Sequence, residues 1–215
     1  MAVNEWATEA HASDYLRRGR GYPPHRDEGE AVLLAELPER CERVLDLGCG
    51  DGRLLALVLR DRPGAAGVAL DMSPPMLEAA RRRFAGTAVE VVEHDLTSPL
   101  PDLGPFDAVV SAFAIHHCED ERKRALYGEV WTALRPGGLF ANLEHVASST
   151  GRLSDRFLVA VGSHPGGGDP SNRLLDVETQ VRWLRELGYD DADCLWKWRE
   201  LALLSAVRRR EGRPD

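Results

Sequence analysis

Residues 44–53 read VLDLGCGDGR. A short apolar run takes in one acidic residue, Asp46, and then places glycines at 48, 50 and 52 before the amphipathic stretch GRLLALVLRD (52–61) begins. An apolar run, a glycine turn and a helical period in that order predict a strand, a tight turn and a helix. Glycines let the backbone turn sharply and come close to a ligand, while the following helix N-terminus offers unpaired N–H groups. The spacing is G-x-G-x-G, not the G-x-G-x-x-G that cradles a pyrophosphate. Asp46 would repel a phosphate placed beside it, but it suits a ligand that carries an ammonium group.

Outward from this turn the same alternation repeats. Candidate strands are RVLDLG (43–48), AAGVALD (65–71), AVEVVEHD (88–95), FDAVVSA (106–112) and GLFANLEHV (138–146), with two more near 190–198 and 200–207. The first five are rich in Val, Leu and Ala, as parallel strands covered on both faces are. Helical patterns fall between them at 52–61, 73–84, 119–135 and 176–188, and another, DEGEAVLLAEL (27–37), precedes the first strand. Gly137 and Gly188 read as helix stops, and Pro74 as a helix start. Strand and helix alternating at this interval predict an α/β fold of the Rossmann-like, doubly wound type, with its ligand crevice at the carboxyl ends of the strands. Residues 147–175 break the pattern with one helix-like piece followed by Gly and Pro. A connection that long predicts a lid or substrate loop.

The chain has 215 residues and a net charge of −8, which predicts one domain with one core and speaks against a nucleic-acid surface. Its four cysteines, at 41, 49, 118 and 194, lack CxxC spacing and suggest neither a zinc knuckle nor a disulfide framework. The first residues show no secretory h-region, and no run approaches the roughly 20 apolar residues of a membrane span. A soluble, cytoplasmic protein, monomeric or homodimeric, is the expectation.

Two further acidic residues complete the crevice. Asp71 ends the second strand, where its carboxylate can take both hydroxyls of a ribose, and Asp95 ends the third, where an exocyclic amine can donate to it. An ammonium, a ribose and an adenine in that order describe S-adenosylmethionine. The segments VLDLGCGDGR, ALDMS, EHDL, FDAVVSAFAIHH and LRPGGLF resemble, in order and interval, the successive motifs of class I S-adenosylmethionine-dependent methyltransferases, across roughly residues 40–145. The resemblance implies a seven-stranded sheet whose last strand is antiparallel. It also implies that Asp46, Gly48, Cys49 and Gly50 line the methionine end, that Asp71 binds the ribose, and that Met72 lies on the adenine. Asp95 and Leu96 would reach the adenine edge, and Ser111 and Ala112 would offer backbone near the cofactor. Tyr15, in an N-terminal helical cover (1–40), would fold over the methionine carboxylate.

Methyl transfer from a sulfonium is an in-line displacement, so the protein must align the acceptor, exclude water and sometimes take one proton. Proton acceptors at the strand ends are His116 and His117 after the fourth strand and Glu144 and His145 ending the fifth. His116 is expected to face the site as general base, with His117, Glu144, His145 and Trp198 on the acceptor side. No H-x-x-x-H or similar spacing supports a metal. The fourth strand ends in SAFA, not in the Asn/Asp-Pro-Pro-Tyr of enzymes that methylate flipped bases or amide nitrogens. The resemblance therefore points to the small-molecule methyltransferases, including those similar to trans-aconitate methyltransferase, acting on oxygen or nitrogen of a small-molecule acceptor. A tRNA wobble-uridine modifying enzyme and a catalytically idle S-adenosylmethionine-binding protein stand as alternatives.

Overall fold

The computed structural model describes residues 23–210. Tyr15 lies outside the described residues. Seven strands form one sheet: β1 (Arg43–Leu47), β2 (Ala66–Asp71), β3 (Val89–Glu93), β4 (Phe106–Ala112), β5 (Leu134–His145), β6 (Tyr189–Trp198) and β7 (Leu201–Arg208). Their spatial order is β3-β2-β1-β4-β5-β7-β6. The first five run parallel, and β7 lies antiparallel between β5 and β6. The doubly wound sheet with an antiparallel last strand thus has the predicted form. Its order reverses on either side of β1, between β2 and β4, and the crevice expected there opens above the carboxyl ends.

The helices are α1 (Arg26–Glu36), α2 (Arg53–Asp61), α3 (Pro74–Arg83), α4 (Asp120–Ala133), α5 (Gly151–Ala160) and α6 (Val177–Glu186), with a 3-10 turn at Ile115–His117. Alternating strand residues supply two apolar layers. Val44, Ala69, Ala108 and Val110 pack with Leu33 of α1, Leu54, Leu55 and Val58 of α2 and Ala80 of α3. Leu45, Leu47, Val68, Leu70 and Val109 face the other way, onto Leu126, Tyr127 and Val130 of α4 and Val181 and Leu184 of α6. With helices on both faces, the central strands are buried almost throughout, which is why they read as continuous apolar runs.

Two local features differ from the sequence expectation. The helix expected over 119–135 ends at Ala133, and the next strand begins at Leu134 instead of 138, because Leu134 pairs with Phe106 across a register shift that precedes Ala108–Leu139 pairing. Gly137, expected as a helix stop, lies inside the span of β5 with a φ of 84°. The segment 147–175 holds α5, whose N-cap Thr150 accepts from the Leu153 N–H, and then turns. Phe157 is the buried residue of α5. The end of the segment is tied down: Arg173 N–H donates to His116 O at 2.8 Å, Ala147 N–H to Leu175 O at 3.0 Å, and the Lys123 ammonium to Arg173 O. Among the described residues no helix is long and apolar enough to cross a membrane.

Candidate functional site

A cavity of about 470 Å³ sits above the carboxyl ends of β1, β2, β3 and β4. Of the residues singled out from the sequence, Asp46, Gly48, Cys49, Gly50, Asp71, Met72, Asp95, Leu96, Ala112 and His117 line it. The turn after β1 forms its floor. Gly48 and Gly50 have φ values of 65° and 55°, the left-handed region where a side chain is strained. A methyl group on Gly48 would stand 2.2 Å from the Ala114 side chain, whereas one on Gly50 would meet nothing within 4 Å. The Cys49 N–H donates to Leu70 O at 2.8 Å, which ties the turn to β2.

Asp46 and Asp71 are held differently. The Asp46 carboxylate accepts the Leu55 N–H through Oδ2, while Oδ1 is buried without a hydrogen-bond partner. Burial pushes its pKa up to about 7, against the Leu55 hydrogen bond, which pulls it down. An orphaned buried carboxylate oxygen is costly unless a donor reaches it, and an ammonium is the donor that also restores the charge. The Asp71 carboxylate accepts the Gly50 N–H and the Ser73 N–H, each at 2.8 Å. Burial raises its pKa and these backbone donors lower it. Burial also drives the Cys49 thiol well above its ordinary value, so it is a protonated wall group and not a nucleophile.

The other candidates form a second, adjoining group. His116 and Glu144 are both buried, and His116 Nδ1 lies 2.5 Å from Glu144 Oε1. Glu144 also accepts the His145 N–H, and its pKa is held low, against the pull of burial, by His116 and these donors. His145 Nε2 pairs with Glu200 Oε2 at 3.0 Å. The rings continue from His117 to His116 (centroids 4.0 Å apart), to His145 (5.6 Å), Phe157 (5.1 Å) and Trp198 (6.1 Å). Within the histidine pair the sequence expectation is modified: His117 lines the cavity, and His116 stands behind it, turned toward β5. Burial and the neighbouring His116 lower the pKa of His117 to about 4. Ser111 is buried with its hydroxyl donating to Leu47 O at 2.8 Å, so its side chain joins β4 to β1.

Several lining residues escaped the sequence reading: Arg26, Arg53, Ser73, His94, Phe113 and Arg173. Ser73 follows Asp71 closely and its Oγ is buried without a partner, but nothing in its sequence context separates it from an ordinary helix cap. The sequence signal for Arg26 was an i, i+4 spacing to Glu30, which most helices show somewhere.

Residues 44–138, which carry the glycine turn and the acidic strand ends, match the family model described as a methyltransferase domain, the class that the sequence resembles. More particular likenesses run to individual enzymes. The chain is 45% identical over 118 residues to a demethylmenaquinone methyltransferase of Thermus thermophilus, covering 53% of this chain and 51% of that one. It is 37% identical over 135 residues to a trans-aconitate 2-methyltransferase of Methylobacterium nodulans, covering 60% and 47%. An O-methyltransferase family protein of Burkholderia thailandensis shares the fold with a TM-score of 0.74 at 22% identity, over 96% of this chain and 62% of that one. The chain spans about half the length of these two curated relatives.

The cavity suits the cofactor of the class. The orphaned Asp46 Oδ1 would take its ammonium, the open face of Gly50 leaves room for close approach, and Asp71, Asp95, Met72 and Leu96 would hold the nucleoside. When bound, the cofactor supplies an electrophilic methyl group on a sulfonium.

Proposed function

We propose that the chain is an S-adenosylmethionine-dependent methyltransferase that acts on a small molecule, at an oxygen or a nitrogen. The observation that carries the reading is the buried, partnerless Oδ1 of Asp46 beside the glycine turn, in a cavity that also presents Asp71 and Asp95. A pyrophosphate cofactor would leave that oxygen uncompensated and add like charge to it.

Within this reading His116 is the proton acceptor. Glu144 is ionised and takes the hydrogen on His116 Nδ1, which fixes the imidazole tautomer with its lone pair on Nε2. A base oriented by a buried carboxylate follows the logic of other activated pairs. His117, whose pKa lies near 4, stays neutral at ordinary pH and is a weaker base. Its place in the reading is the wall that keeps water from the transfer site. Pro170, Ser171 and Arg173 of the segment 147–175 line the cavity, and in this reading the segment covers the acceptor, with Trp198 and His145 as its acceptor-side residues.

Calorimetry with S-adenosylmethionine, S-adenosylhomocysteine and NAD tests the cofactor assignment. The first two should bind and NAD should not, and Asp71→Ala should weaken binding at least tenfold, about 1.4 kcal/mol, as paired hydrogen bonds are lost. Unchanged affinity in that variant overturns the assignment. Incubation with methyl-labelled cofactor and a metabolite extract should then yield a labelled product. Binding without any labelled product would replace the enzyme by an idle cofactor-binding protein.

A further inference from the structure

Asn142 stands where β5 asks for an apolar side chain. Side chains alternate along a strand, so Phe140, Asn142 and Glu144 share one face of β5, and Phe140 packs against Tyr127 of α4 with ring centroids 5.4 Å apart. Asn142 is fully buried, and its Oδ1 has no hydrogen-bond partner. An apolar residue here would leave no such orphan, so the reason for the amide lies at its other end. Asn142 Nδ2 donates to Glu144 Oε2 at 3.3 Å, while Glu144 Oε1 lies against His116 Nδ1 and accepts the His145 N–H. A side-chain hydrogen bond also joins Asn142 to the Tyr127 hydroxyl. Burial drives that phenol well above its ordinary pKa, so it keeps its hydrogen and donates it to Gln180 Oε1 of α6 at 2.6 Å. The Tyr127 oxygen therefore accepts from Asn142, and both amide hydrogens are used. A flipped amide would set its carbonyl against the carboxylate. Gln180, itself buried, donates onward from Nε2 to Leu175 O at 3.0 Å.

The carboxylate is thus held at both oxygens, and the hold runs back through α4 to α6. We propose that Asn142 is a positioning residue for the base: its amide fixes the Glu144 carboxylate with Oε1 turned to His116, and Tyr127 and Gln180 fix the amide. The inference rests on the reading that His116 is the proton acceptor. A neutral donor on Oε2 favours the ionised carboxylate without adding a charge of its own, which leaves Glu144 free to support the imidazole. The titratable groups that bear on Glu144 are His116, His117 and Cys118 from the turn after β4 and Tyr127 from α4, with His145 next to it in β5.

Carbon-13 NMR of the full chain, labelled in glutamate, follows the Glu144 carboxyl, which is assigned as the signal that Glu144→Gln removes. Asn142→Leu should raise the pH at which Glu144 protonates by about one unit, the size of one hydrogen bond to a charged group. Asn142→Asp keeps the shape of the amide, so it reads the same point even where the Leu variant folds poorly. It should raise the value further, because two carboxyls then share the site. Tyr127→Phe should raise it less, and should add nothing when Asn142 is already Leu. In nitrogen-15 spectra of labelled histidine at pH 7.5, the share of the His116 ring that carries its hydrogen on Nδ1 should fall in both Asn142 variants, a readout that a packing role would leave alone. With methyl-labelled S-adenosylmethionine and the same metabolite extract, the acid limb of labelling should move to higher pH in Asn142→Leu. A carboxyl titration and a His116 tautomer that stay as in wild type in both variants overturn the role of Asn142. Full labelling by His116→Gln overturns the base reading itself, whatever Glu144 does.

Discussion

His116 Nδ1 and Glu144 Oε1 lie 2.5 Å apart, with both side chains shut away from solvent. Removing one member of such a pair leaves the other buried and uncompensated, so Glu144→Ala should lower unfolding free energy by about 3 kcal/mol or more in urea titrations. The folded-state pKa of Glu144 lies below its ordinary 4.5, so its contribution is present above that pH and lost as pH falls through the lower folded value. The stability of Glu144→Ala should therefore fall less steeply with acidification than that of wild type. Equal slopes would show that the carboxyl carries no such burden.

His116→Gln should lower turnover by on the order of a hundredfold, the usual size of a general-base effect, with cofactor affinity within about threefold. That loss should require an acceptor which gives up a proton. If the acceptor is a carboxylate, the Michaelis constant for it should rise more than turnover falls. Full activity across the acid limb of the pH profile would leave His116 without a chemical role.

Burial holds the pKa of His117 near 4, below its ordinary 6.5. The unfolded chain thus binds more protons than the native one between those values, and stability is lost as pH falls through that window. In His117→Gln this loss should shrink, giving a smaller difference between unfolding free energies at pH 7.5 and pH 5. A variant whose stability tracks wild type at both values would contradict the assignment.

With Asp46 titrating near 7, cofactor affinity should depend on pH. An ammonium pairs with the ionised carboxylate, so below that value binding must expel a proton, and affinity should fall toward tenfold per unit. Above it the dependence should level off. Calorimetry in buffers of different ionisation enthalpy would detect proton release near pH 6.5, and Asp46→Asn should abolish it. Binding heats that do not vary with buffer would refute the pairing.

The segment 147–175 should exchange hydrogen in two parts. Residues 162–168 should exchange fast and slow down when S-adenosylhomocysteine and an acceptor analogue are both present, while the Arg173 amide, which donates to His116 O, should be slow throughout. Lys123→Met should accelerate the second part alone. Uniformly slow exchange in the free protein would end the lid proposal.

Most of the fold was legible because central strands and amphipathic helices impose different periods on the sequence. The turn at 48–52 was legible because only glycine accepts its backbone. What could not be read depends on distant partners. Leu134 joins β5 because Phe106 pairs with it, and the local residues Pro136 and Gly137 suggest a helix end instead. Lys123 reads as a solvated helix residue, yet it is buried because Arg173 O waits for its ammonium. Neighbouring histidines at 116 and 117 are chemically alike, and their different surroundings are set by Glu144 on one side and Ser171 on the other. Arg26 lines the cavity with its guanidinium against Glu30 and Phe113, contacts that local sequence does not announce.

The contact between Gly48 and Ala114 leaves no room for even one added carbon, and the turn that carries His116 and His117 starts at the very next residue. Under the proposed function, the loop that would receive the methyl donor and the turn that would face the acceptor meet at this contact, so a side chain at position 48 should displace both at once.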